Sequence, residues 1–120
     1  MSAADRVVIW GTGTPRREFL HVDDLADACV FLMEHYSDQK IINIGAGQDL
    51  TIHALAELIR DIVGFDGALE FDATRPDGTP RKFLDITRLQ QLGWKSRIPL
   101  AQGIRDTYQW YQDKSLALQR

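Results

Sequence analysis

The sequence predicts an α/β protein with some parallel strand pairing. Short apolar, β-branched runs alternate with segments of helical period, in the order β-α-β-α-β-loop-α-α. Gly, Pro and Asp punctuate the changes of period. "KIINI", Lys40 to Ile44, is apolar almost throughout, as a strand covered on both faces is. Few other strands are available to surround it, so the chain reads as part of a larger sheet.

Val7 to Trp10 is the first expected strand, β-branched and aromatic and ended by Gly11. A helix is expected from Asp23 or Asp24, either of which could cap exposed N–H groups. Leu25, Ala28, Cys29 and Leu32 then share one face, which makes Cys29 a small core residue rather than a nucleophile. "KIINI" follows as a strand closed by "GAGQD". A second helix starts after its cap Thr51, carries the stripe Ile52, Leu55, Ala56, Ile59, Ile62 and Val63, and stops at Gly64. Ala68 to Phe71 is the third strand. "DATRPDGTPRK" is too rich in Pro, Gly and Asp for regular structure and reads as a loop. Asp85 caps a short helix through Leu92. Pro99 opens a last helix with Leu100, Ile104, Tyr108 and Tyr111 along one side. A single domain over residues 1–120 is expected, frayed at 1–5 and 115–120. Trp94, Tyr108 and Trp110 read as packing residues.

Composition bounds the function. The 120 residues are 44% apolar, enough for a core, and the net charge of −3 lacks the basic footprint of a general nucleic-acid binder. Anion binding must come from local arginines and lysines. One cysteine precludes an internal disulfide and suits a reducing compartment. No apolar run nears membrane-spanning length, and "MSAADR" lacks the apolar core of a signal peptide, so a cytoplasmic chain is expected. His21, His35 and His53 fit no common metal spacing, and no metal is expected.

"VVIWGTGTPRREFLHVDD" raises the question of a dinucleotide loop. That fingerprint needs a third glycine for close helix–strand packing. Arg16 stands there instead, and the helix begins some ten residues late. The glycines read as a strand-ending turn. Arg16 and Arg17 follow a Pro-fixed loop and offer planar donor forks suited to phosphate, though one arginine of such a pair is often simply solvated. Arg75, Arg81 and Lys82 form a second basic cluster, on a loop stiffened by Pro76 and Pro80. It suits either recognition of a polar ligand or plain solvation. Beside Asp23 and Asp24, His21 reads as structural. Trp10 ends a strand just before a ligand-bearing loop, where an indole can lie against a sugar or base.

The segments "VVIWGTGTPRREFLHVDDLADA", "INIGAGQDLTIHALAELI" and "FDATRPDGTPRKFLDITRLQQLGW" together resemble the carboxyl-terminal part of the GDP-L-fucose synthase family, over residues 5 to 113. That family lies in the extended short-chain dehydrogenase/reductase superfamily. The resemblance implies the carboxyl-terminal substrate-binding portion of an extended Rossmann-type fold, lacking the glycine-rich cofactor-binding half. The family binds NADP in an amino-terminal Rossmann domain, epimerises a GDP-4-keto-6-deoxy sugar and reduces it.

By the same resemblance Trp10 lines the substrate pocket. Arg17 reaches the nucleotide diphosphate, and Asp77 and Lys82 belong to a loop closing over GDP. Arg16 and Arg81, beside them, are secondary candidates. The Ser-Tyr-Lys set and the epimerising cysteine and histidine are absent, and neither Cys29 nor His21 corresponds to them. No catalytic residue and no cofactor contact is expected in this chain; NADP is implied for the complete enzyme. The expected partners are a GDP-sugar, a missing amino-terminal Rossmann half and a second copy of the chain, with neither nucleic acid nor membrane. The rivals are a stand-alone nucleotide-sugar or protein-binding module, and part of a related NAD-dependent epimerase or dehydratase acting on another sugar nucleotide.

Overall fold

The computed structural model describes residues 5–118. In chain order the elements are β1 (Arg6–Trp10), β2 (Arg16–Glu18), α1 (Val22–His35), β3 (Asp49–Thr51), α2 (Ile52–Val63), β4 (Ala68–Asp72), β5 (Arg81–Lys82), α3 (Thr87–Gln91) and α4 (Leu100–Leu118). The expected parallel pairing is between β1 and β4, in register from Arg6–Ala68 to Trp10–Asp72. A second sheet has the order β3-β2-β5, with β2 antiparallel to β3 and parallel to β5. Its strands are two or three residues long, and the sequence reading assigned none of them. β5 lies within the stretch expected to be irregular.

The helices form where their periodicity demands. Thr51 caps α2 by accepting the Ala54 N–H at 3.0 Å, and Gly64 closes it through the Arg60 carbonyl. α1 corrects the expected cap. His21, not an aspartate, holds the first turn, its Nδ1 accepting the Asp23 N–H at 3.0 Å. Asp24 is buried beside Ala28. The buried face therefore runs through Asp24, Ala28 and half-buried Phe31 and Leu32, and Cys29 is exposed rather than in the core. A charged residue on the inner face displaced the stripe that hydrophobicity alone suggests. At α3 the helix proper begins after Ile86, while the Asp85 carboxylate accepts the Thr87 N–H at 2.9 Å.

"KIINI" is not a strand. Its carbonyls are taken by side chains instead of a ladder: Lys40 O receives the Tyr36 hydroxyl at 2.7 Å, and Ile41 O receives the Arg88 guanidinium at 3.0 Å. The segment is covered on one side only. Ile42 and Ile44 pack inward, while Ile41 is exposed. Among the described residues the buried apolar ones are Ala28, Ile86, Leu89 and Trp94. Trp94 packs as expected and donates its indole N–H to Asp27 at 2.9 Å.

Residues 1–4 and 119–120 of the segments expected to fray lie outside the described residues. The Asp5 carbonyl accepts the Ala68 N–H at 3.1 Å. α4 continues through Leu118, its outer face bridged by Gln102–Asp106 and Gln109–Asp113 bonds at helical spacing.

The molecule is a slab of 52 × 41 × 19 Å with a radius of gyration of 17.6 Å. A close-packed chain of this length has a radius near about 14 Å. The cause is visible at α2, where no residue is buried despite a clean apolar stripe. Between α2 and α4 lies a groove of about 1070 Å³, lined by Leu55, Ile59, Phe65, Ile104 and Tyr108 among others. Trp110 and Tyr111 edge it and are mostly exposed, so Trp110 is not the packed residue expected.

Candidate functional site

β1 and β4 end together, and the site grows from that end. Gly11 N–H donates to the Asp72 carbonyl at 2.9 Å, and the chain then turns through Gly11 and Gly13, with φ of 96° and 79°. Both are in the left-handed region that favours glycine. At Gly11 there is a second reason, because a side chain would run into Asp77 Oδ1.

The turn holds the long loop that leaves β4. Thr12 donates its N–H to Asp77 Oδ1 at 2.8 Å and its hydroxyl to Asp77 Oδ2 at 2.7 Å. The Thr12 hydroxyl bond, then its N–H bond, hold the Asp77 carboxyl below the usual carboxylate range. Asp77 thus fastens the "RPDGTPRK" loop to the "GTG" turn.

β2 and β5 carry the cations. Register pairs Arg16 with Arg81 and Arg17 with Lys82. Side chains alternate along a strand, so the two pairs face opposite sides of the sheet. Arg17 donates Nη1 to the carbonyls of Arg16 at 2.7 Å and Thr79 at 2.6 Å, while Nη2 lies against Gly78. Among the described residues neither Arg17 nor Lys82 enters an ion pair. Arg16 and Arg81 do. Both reach Asp49, Arg16 at 3.1 Å and Arg81 at 2.7 Å, and the carboxylate between them is 6% exposed. The Arg16 hydrogen bond, ahead of that from Arg81, outweighs desolvation and lowers the Asp49 carboxyl's affinity for protons.

Trp10 stands at the end of β1, 68% exposed. The Arg75 guanidinium lies 4.5 Å above its ring, and Arg75 Nε is 3.8 Å from an Asp72 oxygen. The structure thus brings Arg17 and Lys82 together across one ladder and ties Asp77 to the turn after Trp10. Arg16 and Arg81 are drawn into a separate ion cluster. Sequence reasoning missed Thr12 and Asp49 and gave Arg75 no role of its own. A hydroxyl within the "GTG" turn was the available signal for Thr12; nothing local marks Asp49.

A dinucleotide does not fit the glycine turn. The turn runs into strand β2 rather than a helix. The nearby start of α2 has its N–H groups taken by Pro15 O at 3.0 Å, Gly13 O at 2.9 Å and Thr51 Oγ1 at 3.0 Å. No free cluster of helix-terminal donors remains there for a pyrophosphate.

Residues 1–45 match the model of the NAD dependent epimerase/dehydratase family. The "Probable GDP-L-fucose synthase 1" of Oryza sativa subsp. japonica is 51% identical over 119 residues, spanning 99% of this chain and 36% of that protein. The chain is homologous to the carboxyl-terminal part of the GDP-L-fucose synthases. It spans about a third of the length of the curated relatives it matches.

Solved structures agree. A "GDP-6-OMe-4-keto-L-xylo-heptose reductase from C.jejuni" superposes with a TM-score of 0.85 at 42% identity, over 92% of this chain and 34% of that one. A "gdp-l-fucose synthetase from Naegleria fowleri bound to NADP" gives 0.86 at 26% identity, over 92% and 35%. The chain therefore has the fold of part of these Rossmann-type enzymes, about a third of each. No helix among the described residues is long and apolar enough to cross a membrane.

Proposed function

We propose that this chain is the GDP-sugar-binding part of a GDP-L-fucose synthase-like epimerase/reductase and performs no catalysis by itself. The observation that carries this is the pairing of Arg17 with Lys82 across the β2–β5 ladder, with neither cation in an ion pair among the described residues. Two adjacent cations at the edge of a loop suit a diphosphate. Trp10 offers its exposed ring to the sugar or base, and Asp77 keeps the loop closed by holding Thr12. Arg16 and Arg81, bound to Asp49, take no direct part.

Hydride transfer belongs to the complete enzyme and to NADP, which the relatives imply and these residues do not fit. A polypeptide completing the fold, lying in the α2–α4 groove, is the partner this reading requires.

Calorimetry with GDP, a GDP-sugar and free fucose tests the proposal. GDP and the GDP-sugar should bind, weakly, because the loops must be ordered; fucose should not. Arg17→Ala should weaken GDP binding by about 1.5–3 kcal/mol, the usual range for a charge-assisted contact. Equal binding by the variant would remove Arg17 from the site. Incubation with NADPH and the 4-keto sugar nucleotide should give no turnover. Turnover with contamination excluded would end the view that the chain is inactive alone.

A further inference from the structure

β5 is too short to hold itself. It has two residues, paired to β2 over two positions, and the loop before it is exposed throughout from residue 73 to residue 80. A ladder of that length is marginal. Its register also sets Arg16 directly beside Arg81, and like charges directly opposite one another oppose pairing. What offsets this is a carboxylate from the far strand. Asp49 lies on β3, and β2 stands between β3 and β5. Its Oδ1 accepts Arg16 Nε at 3.2 Å and Nη2 at 3.1 Å, and its Oδ2 accepts Arg81 Nε at 2.7 Å. One acid thereby ties all three strands on the face turned away from Arg17 and Lys82.

We propose that Asp49 is a positioning residue of the anion site: by bridging Arg16 and Arg81 it holds β5 in register and so keeps Lys82 beside Arg17. The inference rests on the reading that Arg17 and Lys82 receive the diphosphate. It makes an expectation opposite to that of charge alone. Replacing Asp49 by Asn adds one unit of positive charge and releases two arginines. Simple attraction would then tighten the binding of an anion. Loss of register separates the two cations that act together, and weakens it.

The experiment is calorimetry with GDP on the 120-residue chain and five variants: Asp49→Asn, Arg81→Gln, Lys82→Ala, and Lys82→Ala combined with Asp49→Asn or with Arg81→Gln. Asp49→Asn is expected to weaken GDP binding roughly tenfold or more, comparable to losing a charge-assisted phosphate contact. The double variant should bind no worse than Lys82→Ala alone, because Asp49 acts through Lys82; a general loss of structure would add to it. Arg81→Gln keeps the Arg16–Asp49 pair and cuts the tie to β5, together with the packing of the Arg81 guanidinium on Phe83. It should lose as much as Asp49→Asn, and combined with Lys82→Ala it decides the matter if Asp49→Asn does not fold. Tighter or unchanged binding by Asp49→Asn, or additive losses in the double variant, overturns the inference while leaving the site standing. Unchanged binding by Lys82→Ala overturns the assignment of Lys82 to the site, and the role of Asp49 with it.

Discussion

The Asp24 carboxylate accepts the backbone N–H of Arg97 with both its oxygens, at 3.1 and 3.2 Å. One of those oxygens also accepts the Ile98 N–H at 3.0 Å. Asp24 is 3% exposed. A buried carboxylate on α1 therefore fixes the point at which the chain enters α4. Removing it strands two N–H groups away from water. Asp24→Ala should cost about 2–4 kcal/mol of unfolding free energy, and Asp24→Asn less, since one carbonyl acceptor survives. Urea titration followed by circular dichroism measures both; equal stability of Asp24→Ala and the parent would show that the joint contributes nothing.

Gly11 is the second place where a small change should have a large effect. Its φ is left-handed, and Asp77 Oδ1 occupies the space a methyl group would need. Gly11→Ala should destabilise the chain by about 1–3 kcal/mol, through backbone strain and loss of the Thr12–Asp77 bonds. It should also weaken GDP binding by releasing the loop. A variant with parent-like unfolding and parent-like GDP affinity would refute the close approach.

Acid should release the same loop. Asp77 has its carboxyl lowered from 3.8 by the Thr12 hydroxyl and then the Thr12 N–H. A depressed folded value means the stabilisation is fully present above 3.8 and is lost as pH falls through the lower, folded value. Asp49, through Arg16, and Asp85, through the Thr87 hydroxyl, shift the same way, so losses should accumulate in that same window. The Thr12 amide resonance, followed by NMR on lowering pH, should titrate with a midpoint below 3.8 and stop doing so in Asp77→Asn. A midpoint at or above that value would contradict the bonding described.

The apolar groove between α2 and α4 predicts association. Covering it is favourable by about 25 cal/mol per Å² of apolar area, and in a pure sample the available cover is a second copy. Light scattering should show mass rising with concentration. Trp110→Glu, placing a charge at the groove's edge, should shift the chain toward monomer. A parent that stays monomeric at every concentration would mean that the groove closes internally.

Much of this was legible in sequence where a pattern repeats. The stripe of α2 and its Thr51 and Gly64 boundaries span enough turns to be recognised. The three short strands around Arg17 contain no period to read; pairing defines them, and Arg81 lies in a loop until Arg16 stands beside it. Asp49 is similarly silent, since its partners are 33 and 32 residues distant. Cys29 shows the converse failure. Apolar spacing located a helix face, but Asp24 turns inward for its hydrogen bonds and rotates the buried side away from the cysteine. At Tyr111 the spacing found the right face of α4, and no spacing can tell whether another element covers that face.

The 73 residues between Asp24 and Arg97 also set an order in time. At ordinary rates of synthesis, roughly 5–20 residues per second, Asp24 leaves the ribosome's catalytic centre several seconds before its partner exists. α1 and α2 need only local contacts and can form in that interval. The clasp of Thr12 on Asp77, 65 residues further along, can follow within it, but the joint to α4 cannot. A nascent chain halted before Arg97 would hold both helices and β5, yet leave Asp24 without its backbone partners against the apolar surface it is meant to seal. Recognition by quality control at that stage would read a missing handful of backbone N–H groups, not a missing domain.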